Sequence, residues 1–109
     1  MLPSKDRLRS REVEEVLHKG QRRSTPLFSF TFLVPADRNA FAVAVSKKIL
    51  PNAVDRNKAR RRFYSVFSKL KISGSHAHIV FMPKKDSIKT TFSLLQKEIE
   101  NSLIRAKIL

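Results

Sequence analysis

The feature that most constrains the fold is the alternation Phe28-Ser29-Phe30-Thr31-Phe32 within the run Leu27 to Val34. Side chains along a strand point to opposite faces in turn, so Phe28, Phe30, Phe32 and Val34 share one bulky apolar face. Ser29 and Thr31 share the other with Leu27 and Leu33. A strand this lopsided needs another layer over its phenylalanines. Pro35 to Asn39 reads as a polar turn, and Ala40 to Ser46 repeats the pattern, with Phe41, Val43 and Val45 opposite Ala40, Ala42, Ala44 and Ser46. The two runs predict an antiparallel hairpin. Its bulky face supplies the core, and its small-residue face leaves room for a helix or a ligand.

Around these runs the apolar period changes to that of a helix. Val13, Val16 and Leu17 make a narrow stripe on a helix from Ser10 to about Lys19, with Ser10 as the expected N-cap and Gly20 as the stop. Ala59, Phe63, Val66, Phe67 and Leu70 make a second stripe on a helix from about Ala53 to Leu70, and Gly74 closes that region. Ala77 to Met82 is almost continuously apolar, which suits a strand buried on both faces, and Pro83 stops it. Asp86 or Ser87 is the expected cap of a last helix with the stripe Ile88, Phe92, Leu95, Ile99 and Leu103. The order is helix, two or three strands, helix, strand, helix. This is an α+β architecture, one sheet with helices packed on it, in a single domain over residues 1–109. Residues 1–9 are expected to be a flexible basic N-terminus.

Charge narrows the partner. The chain carries 23 Lys and Arg against 9 Asp and Glu, a formal net charge of +14. A folded domain with that imbalance suits an anionic partner, nucleic acid first and an anionic membrane surface second. No apolar run approaches the length of a membrane span, and the N-terminus has no signal-peptide core. The absence of cysteine excludes disulfides, cysteine-zinc sites and thiol nucleophiles, and fits a reducing cytoplasm. The densest window is Val45 to Phe67. Between Lys47 and Arg62 it holds Lys47, Lys48, Arg56, Lys58, Arg60, Arg61 and Arg62 with one acid, Asp55. Arg56 and Arg60 lie one helical turn apart, as do Asn57 and Arg61. A fixed array of this kind neutralises several phosphates and releases their counterions, and the arginine fork bonds two phosphate oxygens together.

A nuclease working by itself needs gathered carboxylates or a histidine–acid pair. Asp6, Asp37, Asp55 and Asp86 fall on separate elements. His18, His76 and His78 lack a metal-ligand spacing, and Glu12, Glu14 and Glu15 are expected on the exposed side of the first helix. No catalytic or metal-ligating residue is therefore expected in the protein. A helix-turn-helix is excluded because the basic helix is flanked by strands. Composition and spacing stop at an RNA- or DNA-binding domain, and a structural RNA-binding protein such as a ribosomal one remains open.

The string Ser46-Lys47-Lys48, then Ala53-Val54, Arg56-Asn57 and Arg60-Arg61, resembles the signature of the bacterial ribonuclease P protein family. Arg7-Leu8, the short helix ending at Gly20, the Phe-rich strand, the strand at Ile79 to Met82 and the C-terminal helix also fall where that family has them. The resemblance implies an α/β sandwich with a left-handed strand-helix-strand crossover, a hand that patterning would not suggest. It also implies an RNA-binding subunit of the endoribonuclease that removes 5′ leaders from precursor tRNA, with hydrolysis and Mg²⁺ belonging to the RNA subunit and no cofactor bound by the protein alone. It assigns Lys47, Lys48, Arg56, Asn57, Lys58, Arg60 and Arg61 to the RNA subunit, and Arg62, a basic residue added to the family's pattern, is expected to join them. It also implies a cleft for the single-stranded leader, here with Ser29, Thr31, Ala42 and Ala44 as floor and Val13 and Leu17 as wall. Family members commonly have phenylalanines at the positions of Val13 and Leu17 and an aromatic near Thr31. The loop Ile49 to Asn52 is one residue longer than usual, and Tyr64 stands where a later helix arginine is common. A monomeric cytoplasmic protein is expected.

Overall fold

The phenylalanine run does form a strand, but it does not pair with the run that follows it. The computed structural model describes residues 7–70 and 76–108. Among these, helix α1 (Ser10–Lys19) leads into strands β1 (Gln21–Ser24), β2 (Phe28–Leu33) and β3 (Ala40–Val43). Helix α2 (Ala53–Lys69), strand β4 (His78–Pro83), a short 3-10 turn (Lys85–Ser87) and helix α3 (Phe92–Arg105) follow. The sheet order is β1-β2-β4-β3. Strand β2 is antiparallel to β1 and to β4, with Phe30 opposite Phe81, whereas β3 runs parallel to β4.

The expected β2–β3 hairpin is thus replaced by a β3–α2–β4 crossover that seats β4 between them. The reason lies in β4, whose apolar side chains occupy both faces. Ile79, Val80 and Phe81 are all fully buried. A strand with two apolar faces is stable only in the interior of a sheet covered on both sides. Strand β1 was not expected, because Gln21-Arg22-Arg23-Ser24 has no apolar face, and its residues are all exposed at the sheet edge. The limits of other elements also shift. Ser10 is the first helical residue, and Arg9 takes the cap position, its N–H donating to Glu12 Oε1 at 2.9 Å. Helix α3 is capped by Thr91, whose hydroxyl accepts from Leu94 N–H, while Asp86 and Ser87 belong to the preceding 3-10 turn. The stop expected at Gly74 lies outside the described residues.

The core fills the space between one sheet face and helices α2 and α3. Phe28, Phe30 and Phe81 meet Phe63 and Val66 of α2 and Leu95, Ile99 and Leu103 of α3, all at 0–1% exposure. Phe63 sits edge-on to Phe28 with centroids 5.6 Å apart, and Phe67 stacks on Phe41 at 4.0 Å. Helix α1 covers the opposite face through Val16, which is fully buried. Gly20 follows it at a point of close approach. A Cβ there would stand 2.5 Å from the Val16 carbonyl oxygen, 2.6 Å from that of Phe32 and 2.9 Å from the Thr31 methyl. Any larger residue would push the end of α1 off the sheet.

The N-terminal stretch is more tied than expected over the part described. Arg7 forms a parallel bridge with Phe41, and Leu8 N–H donates to the Phe41 carbonyl at 2.9 Å.

Candidate nucleic-acid interface

Helix α2 is held by its stripe of Ala59, Phe63, Val66 and Phe67, all buried. Its start is fixed by Asn52, whose Oδ1 accepts from Val54 N–H at 2.9 Å. The face turned away from the core carries Asn57, Arg60 and Arg61. Arg60 Nη1 donates to Asn57 Oδ1 at 3.0 Å, so the two polar groups orient each other. With Arg7, Tyr64, Ser65 and Ser68 these residues line a groove of about 690 Å³. Tyr64 is half-buried against the core, and the Arg7 guanidinium stands over its ring at 5.5 Å from the centroid. Lys58 is exposed on the same helix.

The remaining cations of the window do different jobs. Lys47 and Lys48 are exposed in a turn closed on Ser46, whose carbonyl accepts from Ile49 and Leu50 N–H. Arg56 Nη1 donates to the carbonyls of Leu50 and Pro51, at 2.9 and 2.8 Å, and so fastens that turn to α2. Arg62 departs from the expectation of one continuous array. Its two terminal nitrogens donate to the carbonyls of Ser87 and Thr90, each at 2.6 Å, and clamp the turn before α3. At 100° per residue Arg62 lies about 40° from buried Val66, close enough to the helix's packed side to reach a neighbouring loop. Arg62→Ala should therefore lower unfolding stability by about 1–3 kcal/mol, the range for losing hydrogen bonds made by a charged group. The salt dependence of RNA binding should stay unchanged. Denaturant titration and binding isotherms check the two halves separately.

A second groove, of about 410 Å³, opens at the end of the sheet. It is lined by Arg22 of β1, Ser29 of β2, Met82 and Pro83 of β4, Lys84, Ile49 and the stretch Ala44 to Ser46. Of the expected cleft residues its lining includes exposed Ala44 and Ser29, which is itself buried with its hydroxyl on that of Ser24. Thr31 is only 3% exposed, with its methyl beside Gly20, so it is not open floor. Val13 and Ala42 are half-buried and Leu17 is exposed, all outside this groove's lining. Phe28, Phe30 and Phe32 belong to the core, as their alternation implied.

The fold also gathers acids that the sequence scatters. Arg38, between β2 and β3, donates to both Glu12 oxygens at 2.7 and 3.0 Å and reaches Asp37 at 3.3 Å. Asp37 Oδ1 lies 2.8 Å from His78 Nε2. Ligand atoms of Glu12, Asp37 and His78 fall within 4.8 Å of one another. Arg38 already holds both Glu12 oxygens, which makes the group an ion-pair latch joining α1, the β2–β3 loop and β4. Glu12 is therefore not the free surface acid expected. The hydrogen bond from Arg38, then that from Arg9 N–H, holds its pKa down at about 2. Asp37 is also lowered. Partial loss of water works upward there, and the His78 hydrogen bond with the Arg38 charge outweighs it. A carboxylate depressed in the folded state stabilises above its unfolded pKa, and that contribution is lost as pH falls toward the folded value. Stability should accordingly drop between about pH 5 and pH 2, and Glu12→Gln should flatten that part of a melting-temperature profile.

A domain of net charge +14 that aims an ordered cationic helix face into an open groove, while its clustered carboxylates are bound to an internal arginine, belongs to the nucleic-acid-binding proteins. Among the described residues no helix is long and apolar enough to cross a membrane. The chain belongs to the ribonuclease P protein family, whose family model, described as Ribonuclease P, matches residues 2–107. The ribonuclease P protein component of Synechococcus elongatus is 32% identical over 117 residues, covering 99% of this chain and 95% of the relative. Among solved structures, a Staphylococcus aureus RNase P protein mutant with defective mRNA degradation activity matches with a TM-score of 0.81 at 24% identity, over 96% of this chain and 91% of that one. The RNase P protein of Thermotoga maritima matches at 0.78 and 24%, over 91% and 96%. These structures share the fold.

Proposed function

We propose that the α2 face and the Lys47–Lys48 turn form the surface on which this ribonuclease P protein component holds the enzyme's RNA subunit. The observation that carries the reading is the groove where Asn57, Arg60 and Arg61 stand together on a helix locked by aromatic packing. A guanidinium oriented in advance, as Arg60 is by Asn57, loses less side-chain freedom on binding phosphate oxygens, and each neutralised phosphate releases counterions. Lys47, Lys48 and Lys58 extend the positive field. Arg56 contributes by fixing the turn that bears the two lysines.

The 5′ leader of precursor tRNA would take the sheet-end groove, where Arg22 and Lys84 flank Ser29 and Ala44. Among the described residues none that lines that groove is aromatic. Leader contact there would rest on phosphate attraction and hydrogen bonds, with less of the base stacking that commonly holds single strands. Phosphodiester hydrolysis, with Mg²⁺, would belong to the RNA subunit. The protein would act as a single-domain cytoplasmic monomer that lowers the repulsion between leader, tRNA and RNA subunit.

Reconstitution tests this reading. Adding the protein to a bacterial ribonuclease P RNA at low magnesium should accelerate leader removal from precursor tRNA. Failure to stimulate several such RNAs would overturn it.

A further inference from the structure

The groove beside α2 receives Arg60 and Arg61, but Tyr64, the next residue along it, has no positive charge. A cation reaches that place from outside the helix. Arg7 comes from the segment ahead of α1, and its backbone is held from two sides. It bridges Phe41 on the outer edge of β3, the next residue donates its N–H to the Phe41 carbonyl, and Arg38 Nη2 donates to the Arg7 carbonyl at 3.2 Å. The guanidinium lies over Tyr64 at 5.5 Å from the ring centroid, a cation–π distance. Its Nε is buried with no hydrogen-bond partner among the described residues. That atom is closed to an incoming group, so a phosphate contact falls to the terminal Nη nitrogens.

We propose that Arg7 is an RNA-contacting residue, and that Tyr64 positions it so that Arg7, Arg60 and Arg61 together grip the phosphate backbone of the ribonuclease P RNA. This rests on the reading of α2 as the RNA-binding face. Stacking occupies the flat face of a guanidinium and leaves its N–H edge for phosphate oxygens. Tyr64 is therefore a positioning residue rather than an open platform for a base. The latch around Arg38 acquires a second consequence, because the side chain that pairs with Glu12 also holds the Arg7 backbone.

The test uses the full chain and a bacterial ribonuclease P RNA, with affinity measured across a monovalent salt series. Arg7→Ala should bind roughly tenfold more weakly at moderate salt. Its plot of log affinity against log salt should lose about 0.7–0.9 of slope, one phosphate contact's worth. Arg7→Lys should keep the slope. Tyr64→Phe should behave as the parent, and Tyr64→Leu should weaken binding several-fold while keeping the charge and so most of the slope. Arg60→Ala reports on the α2 face independently. If Arg60→Ala loses slope and Arg7→Ala does not, Arg7 is only a strut and the proposal fails, even if affinity or melting temperature falls. If neither loses slope, the reading of the α2 face fails and takes this one with it.

Discussion

Phe63→Ala should destabilise the protein by about 3–5 kcal/mol, the range for truncating a fully buried phenylalanine. The ring has no exposed surface, and its centroid lies 5.6 Å from both Phe28 and Phe81. Alanine would leave a void where α2 meets the middle of the sheet, bordered by side chains from elements that cannot all move inward at once. Since small domains are stable by only about 5–15 kcal/mol, much of the total would go. In urea the unfolding midpoint should fall with an unchanged m-value, and the melting temperature should drop by at least about 12 °C. Phe63→Leu keeps most of the volume and should cost about 1.5 kcal/mol or less. An alanine variant that melts with the parent would show that this stripe does not anchor the helix.

Arg60→Ala combined with Arg61→Ala should have the opposite profile. Arg61 is exposed, and the Arg60 side chain's hydrogen bond is to Asn57 on its own helix, so folding stability should change little. Binding to the RNA subunit should weaken by about a hundredfold or more, taking each lost charge-assisted contact as worth at least about 1.4 kcal/mol. The slope of log affinity against log salt should fall by about 1.4–1.8 for two lost phosphate contacts. An unchanged slope would move the interface elsewhere. Set beside Arg62→Ala, the double variant separates two uses of the same residue type on one helix, one lining the open groove and one clamping a loop.

That separation shows how far the residues could be read in advance. The helix, its stripe and the exposure of Asn57 and Arg61 follow from a 3.6-residue period and are local properties. The same arithmetic puts Arg56 about 20° from Phe63 and Arg62 about 40° from Val66, beside the packed side. It does not reveal what each would meet there. The carbonyls of Leu50, Pro51, Ser87 and Thr90 come into reach only once the chain has folded. The expected cleft was legible to a similar degree. Alternation placed Ser29 and Thr31 on the face opposite the phenylalanines, but the descent of α1 and Gly20 onto that face buried Thr31. Arg7 and Tyr64 were visible as residues, but their meeting was not, because they are joined through the edge of β3.

The sequence by itself determined the three helices and the strands other than β1, which of their faces are apolar, and that the chain suits an anionic partner. Period and charge are carried by neighbouring residues and need no knowledge of distant ones. Only the tertiary structure decided the strand order, the joining of Arg7 to the α2 face, and the gathering of Glu12, Arg38, Asp37 and His78 into one latch. Those depend on which of several compatible pairings buries the most apolar surface. Here that was settled by β4, whose two apolar faces required the interior of the sheet and set β2 and β3 apart.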